Sequence, residues 1–347
     1  MTSRAAGSEP SRGPSTGPPT SPARTPATRW QHRHLLDVDV LTWPEIELVM
    51  RTADEMADVV AGRSPARPVL KGVGVTILFY EASTRTRVSF EVAAKHLAAS
   101  VVNVSAGGSS VTKGESLLDT VRTLEAEGAE MLVMRHATSG APYLVAREFR
   151  GSVLNGGDGW HAHPTQALLD LYTIRAHDGA PAGWSLAGRK VTIVGDILHS
   201  RVARSNIWTL SAAGADLWVC GPPTLLRGLD AWGTAGVGGK RPFAVTSDIG
   251  AALRDADVVM TLRIQKERMA GGLLPSLGEY AARYGITRDR LALAAPGAIV
   301  MHPGPMNEGV EIEPEVANGR QSVITSQVAN GVPVRMALLA LLREATA

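Results

Sequence analysis

The chain has 347 residues, 44% hydrophobic and 20% charged, with a formal net charge of +2. That length suits two domains, no apolar run approaches the ~20 residues that span a bilayer, and the spread of basic residues argues against nucleic acid. The single cysteine, Cys220, excludes an internal disulfide or a multi-cysteine zinc site and fits a reducing cytoplasm.

Residues 1–30 are rich in Pro, Ser, Thr, Ala and Arg, with Glu9 the only acid and six prolines before residue 28. Such a segment has too little apolar surface to offset its ordering entropy and reads as a disordered tail. Its prolines also spoil the amphipathic helix of an Arg-rich transit peptide. From Leu41 onward, short apolar runs alternate with segments of helix length. VGVTILF (73–79), SVVNVS (100–105), AEMLVMR (129–135), SVLNG (152–156), KVTIVG (190–195), DLWVCG (216–221), DVVMTL (257–262) and AIVMHP (298–303) read as strands. SLLDTVRTLEAEG (116–128) and ARSNIWTLSAAG (203–214) read as helices between them. This alternation predicts an α/β fold of two doubly wound parallel-sheet domains, with the active site in the crevice between them. The break falls near HPTQALLDLYTI, where Ala167 to Ile174 reads as a linking helix. The expected bodies are 31–165 and 166–324, with a C-terminal helix, 325–347, packing back on the first.

FYEASTRTRVSF, residues 79–90, crowds Ser83, Thr84 and Thr86 with Arg85 and Arg87 at the start of a helix. Capping explains one hydroxyl. It leaves the arginines unexplained, since positive charge there opposes the helix dipole. An anion, phosphate above all, satisfies backbone N–H groups, hydroxyls and guanidinium together. Ligands of open α/β sheets bind at the carboxyl ends of strands, and polar groups follow nearly every strand here. They are Glu81, then Arg135 and His136, then His163 and Gln166, then Asp196, His199 and Arg201, then Arg263 and Gln265, and finally His302. Taken singly, an arginine after a strand is often a solvated loop residue and a histidine often structural. Together they ring an anion-binding crevice. Pro164 fixes the turn after His163 and places an imidazole and the Gln166 carboxamide at one helix start. No cofactor is expected. VGDILHSR lacks a G-x-G-x-x-G loop, no Walker A lysine loop occurs, and His161 and His163 have no third metal ligand in sight.

With these residues assembled, the chain resembles the aspartate/ornithine transcarbamoylase family from about Gln31 to its C-terminus. STRTRVSFE (83–91), MRH (134–136), HPTQALLDL (163–171), VGDILHSRVARSN (194–206), TLRIQKER (261–268) and HPGPMNEGVEI (302–312) are similar to the family's motifs, in the family's order. The resemblance implies carbamoyl transfer early in pyrimidine biosynthesis, with a carbamoyl-phosphate domain followed by an aspartate domain. It implies that Ser83, Thr84, Arg85 and Thr86 hold the phosphate. Arg135, His163, Gln166 and the backbone of Gly304 and Pro305 would meet the carbamoyl end, and Arg201, Arg263 and Gln265 the aspartate carboxylates. Ser109 and Lys113, in SAGGSSVTKGES, match residues that the family lends to a neighbouring subunit's site, so a homotrimer with shared sites is implied. Such a trimer leaves room for regulatory or pathway-enzyme partners. One departure is Glu308, where the family usually carries a basic residue.

The implied chemistry needs no covalent intermediate, and Thr86, Arg135 and His163 would stabilise the developing oxyanion, with Arg85 and Lys113 completing the catalytic set. Aspartate is favoured over ornithine because Arg201, Arg263 and Lys113 have no obvious acid facing them, and the ornithine branch carries a cysteine-containing motif in place of HPGP. Against a non-catalytic carbamoyl-phosphate binder stands an unbroken signature. Against a nucleotide-binding oxidoreductase stands the missing glycine loop.

Overall fold

The computed structural model describes residues 29–105, 114–181, 183–229, 243–265 and 272–346. The expected tail therefore lies outside the described residues but for Arg29 and Trp30, as do Ser109 and Lys113.

Helix α1 (Trp43–Val60) opens the fold. Glu45 reaches back to the Thr42 backbone N–H at 2.9 Å to close its first turn, and it buries Ile46, Val49, Met50, Ala53 and Met56 at helical spacing. Strands β1 (Gly74–Phe79), β2 (Ser100–Ser105), β3 (Met131–His136) and β4 (Ser152–Asp158) follow, with α2 (Thr84–His96), α3 (Leu117–Ala126) and α4 (Ala141–Glu148) between them. They form one parallel sheet in the order β2-β1-β3-β4. Helix α5 (Pro164–His177) leads to the second sheet, built from β5 (Lys190–Val194), β6 (Asp216–Cys220), β7 (Ala244–Thr246), β8 (Val258–Thr261) and β9 (Ile299–Met301), in the order β7-β6-β5-β8-β9. Helix α6 (Arg201–Ala212) follows β5.

All eight predicted runs are strands. β1, β5 and β8 are apolar because parallel strands covered on both faces must be, whereas the edge strand β2 has no buried residue and shows itself through its β-branched valines. The ninth, β7, is three residues that are only half-buried, so unlike the equally short but fully buried β9 it leaves no apolar run. The C-terminal helix, Ile324–Thr346, packs against α1, α2 and α5. Its Val334, Met336, Ala337, Leu338, Leu339 and Leu342 are buried nearly completely. One apolar core therefore runs from Trp30 through α5 and the C-terminal helix into the second sheet at Val191 and Ile193. Cys220 is buried in the second sheet, and burial first, then Asp248, pushes its thiol up to about 12. It is an inert core thiol.

Candidate active site

Strand register decides which side chains meet. β1 pairs Phe79 with Arg135 of β3, so the loop leaving β1 runs beside that arginine. In the second sheet β5 pairs Val194 with Thr261 of β8, which sets Asp196 beside the Arg263 segment. In both sheets the order reverses at these strands, the switch points where open α/β sheets bind ligands. Ser83, Thr84, Arg85, Thr86, Arg135, His163, Gln166, Arg201, Arg263, Gln265, Gly304 and Pro305 all line one crevice of about 620 Å³.

Ser83 is the N-cap of α2, its Oγ accepting from the Thr86 backbone N–H at 3.4 Å. That is a long bond for a cap. Arg85 lies across Gly304. A Cβ on that glycine would stand 2.7 Å from the Arg85 Cζ, and its φ of +71° lies in the left-handed region that favours glycine. The first half of the crevice is thereby joined to the loop after β9. That loop is held from behind. His302 Nδ1 accepts from Gly304 N–H at 2.8 Å, while Glu311 Oε1 receives Asn307 N–H at 2.6 Å and lies 3.3 Å from His302 Nε2. The Gly304–Pro305 peptide is cis.

His163 caps α5 just before Pro164 at N1, and its backbone N–H donates to Ser205 Oγ of α6 at 2.9 Å. Its side chain is buried, and its pKa is held well below the ordinary 6.5, first by desolvation and then by Arg135, Arg201 and Arg335. The imidazole is therefore neutral, and its Nδ1 has no hydrogen-bond partner among the described residues. A buried, neutral imidazole lining an arginine-rich crevice can meet an oxygen that gains charge without adding to the cationic crowd.

Arg201 differs from expectation. Predicted to face no acid, it bonds Glu81 Oε2 through Nη1 at 2.7 Å and Gly159 O at 3.2 Å. Glu81 also stands 3.6 Å from Arg135 Nε. The reason is burial. Arg201 is 4% exposed, a guanidinium removed from water needs a counter-charge, and Glu81 at the end of β1 supplies it. One carboxylate thus spans an arginine of each half. Gly157, at φ +113°, leaves room for both, since a Cβ there would meet Arg201 Nε at 2.9 Å and Arg135 Nη1 at 3.2 Å. On the far side Asp196 accepts from Gln265 N–H at 3.4 Å and lies 2.8 Å from His199 Nδ1, while Gln265 Nε2 donates to His199 O at 3.3 Å. Sequence reasoning placed Glu81 in the ring of polar groups without its arginine partners, and passed over Arg335, Gln327 and Asp170, which lie in or just behind the crevice wall. Their one signal was a charged or amide group within an apolar helical run.

These features define an α/β enzyme fold with an arginine-rich crevice at two facing switch points. The first half matches the family described as aspartate/ornithine carbamoyltransferase, carbamoyl-P binding domain, over residues 33–176, and the second its Asp/Orn binding domain over 187–342. The chain belongs to the aspartate/ornithine carbamoyltransferase family. It is 56% identical over 311 residues to a Roseiflexus sp. (strain RS-1) protein named aspartate carbamoyltransferase catalytic subunit, covering 90% of this chain and 95% of that relative. Aspartate transcarbamoylase from Trypanosoma cruzi, solved with carbamoyl phosphate and aspartate, superposes with a TM-score of 0.76 at 30% identity, covering 88% of this chain and 94% of that one. Ornithine carbamoyltransferase from Pyrococcus furiosus gives 0.76 at 27% identity, over 90% of this chain and 98% of that one.

Proposed function

We propose that the chain transfers the carbamoyl group of carbamoyl phosphate to the amine of L-aspartate, giving N-carbamoyl-L-aspartate and phosphate. The observation that carries this reading is the charge balance of the crevice. Among the described residues, Arg85, Arg135, Arg201, Arg263 and Arg335 line it together with one acid, Glu81. Two anionic substrates suit that surplus, whereas the second ammonium group of ornithine would need an acid of its own. Glu81 does not fill that role, being engaged with Arg201 at 2.7 Å. The name and 56% identity of the Roseiflexus relative point the same way.

In this reading residues 31–165 bind carbamoyl phosphate and 166–324 bind aspartate. Ser83, Thr84, Arg85 and Thr86 hold the phosphate at the start of α2. The aspartate nitrogen attacks the carbamoyl carbon, the bond from that carbon to the bridging oxygen breaks, and the amine's proton leaves with the phosphate. Thr86, Arg135 and neutral His163 receive the charge gathering on the carbonyl oxygen. Arg201, Arg263 and Gln265 hold the aspartate carboxylates, so a positioned pair of reactants takes the place of a covalent intermediate. Ser109 and Lys113 complete the site of the next subunit in a ring of three.

Phosphate release tests the reaction. With carbamoyl phosphate present, aspartate should support it at least about tenfold faster than ornithine at equal concentration, as expected when a wrong partner leaves buried charges unpaired. Comparable rates would defeat the assignment to aspartate.

A further inference from the structure

Asp170 sits within α5 and is completely buried, a costly place for a carboxylate unless it is fully bonded. Its Oδ1 accepts from Gln166 Nε2 at 2.8 Å and from Gln327 Nε2 at 2.6 Å, and its Oδ2 from Asn206 Nδ2 at 2.8 Å. The donors come from α5 itself, from the C-terminal helix and from α6. An ionised carboxylate can only accept. It therefore decides which end of each carboxamide turns toward it and which end turns away.

Gln166 spends its Nε2 on Asp170, so the group left for the crevice it lines is Oε1, an acceptor. Gln327 spends its Nε2 in the same way, and its Oε1 receives the His302 backbone N–H at 3.0 Å. His302 heads the loop that brings Gly304 and Pro305 to the crevice. Asp170 thus governs an acceptor on one wall directly and the seat of the opposite loop through one intermediary. We propose that Asp170 is a positioning residue that turns Gln166 and, through Gln327, the His302–Pro305 loop so that acceptors face the NH2 of the carbamoyl group, selecting carbamoyl phosphate over acyl phosphates that lack it. This rests on the carbamoyl-phosphate reading above. An acyl phosphate with a methyl group in that place offers no donors, and acceptors left unpaired in a dry site are what makes such discrimination strong.

Three constants measured on the full chain test it: the KM of carbamoyl phosphate, the Ki of acetyl phosphate and the Ki of inorganic phosphate. Asp170→Asn keeps the volume but turns one acceptor oxygen into a donor, so the three amides can no longer all donate to it. The ratio of the acetyl phosphate Ki to the carbamoyl phosphate KM should fall by about tenfold or more, while the inorganic phosphate Ki moves by less than about threefold. Gln327→Met cuts only the link to the loop, and should lower the same ratio by roughly threefold or more. It carries the test if Asp170→Asn does not fold. An unchanged ratio in a folded variant, or a loss of phosphate affinity in step with it, overturns the proposal and leaves Asp170 a structural carboxylate. A wild-type chain that releases phosphate with aspartate yet does not prefer carbamoyl to acetyl phosphate also overturns it. One that releases none from carbamoyl phosphate and aspartate defeats the functional reading and takes this proposal with it.

Discussion

At the scale of single residues, His163 and Asp170 are buried titratable groups with opposite consequences for stability. The pKa of His163 is lowered in the fold, by desolvation first and then by the nearby arginines. Below about pH 6.5 the unfolded chain therefore takes up a proton that the folded chain refuses, and stability is lost as pH falls from 6.5 toward the folded value. Asp170 is pushed up to about 6 from 3.8 by desolvation, against the pull of its three amide donors and Arg335. Its contribution is fully present below 3.8 and is lost as pH rises through about 6. In the proposed reading His163→Ala removes an oxyanion donor while leaving the phosphate grip at Ser83–Thr86 intact. Turnover should drop by about 10²-fold with a much smaller change in the carbamoyl phosphate KM. Melting scans of the same variant should show a weaker acid loss below pH 6.5 than the wild type. Unchanged turnover would make His163 a structural histidine.

In the proposed reading the start of α2 is where element and ligand compete for the same groups. The Ser83 cap bond is 3.4 Å long, so Ser83→Ala should cost less stability than the ~1 kcal/mol typical of a lost cap. The carbamoyl phosphate KM should nonetheless rise several-fold, because in that reading the hydroxyl's stronger partner is the phosphate. A lower melting temperature with an unchanged KM would reverse that ranking. How much of this was legible beforehand follows from the range of each interaction. Strands such as β1 and β5 declare themselves in the runs VGVTILF and KVTIVG, since burial on both faces is written locally, while the exposed edge strand β2 declares itself only through the valines of SVVNVS. Arg85 declares itself too, being an arginine that no helix start wants for its own sake. The partnership of Glu81 with Arg201 was invisible, because 120 positions separate them and only the approach of the two sheets makes them neighbours. Asp170 was hidden for the same reason. In HPTQALLDL it is one polar letter among apolar ones, and its three donors arrive from α5, α6 and the C-terminal helix.

For the whole molecule, the shared-site reading makes a prediction that no single chain can satisfy. Arg85→Ala and Lys113→Ala homotrimers should each be nearly inactive. Unfolded and refolded together they should recover activity, since random assembly makes about three quarters of trimers hybrids and roughly a quarter of all sites intact. A mixture as inactive as its parents, with wild-type chains recovering in parallel, would place Lys113 in its own chain's site. The C-terminal helix bears on the order of events during synthesis. It closes over α1, α2 and α5, yet α5 ends at His177 and that helix ends at Thr346. At ~5–20 residues per second, a ribosome takes roughly 10–30 s to make the stretch between. During that wait the nascent first half shows chaperones the apolar surface that the last helix will cover, so the first half to be made is among the last parts to be finished.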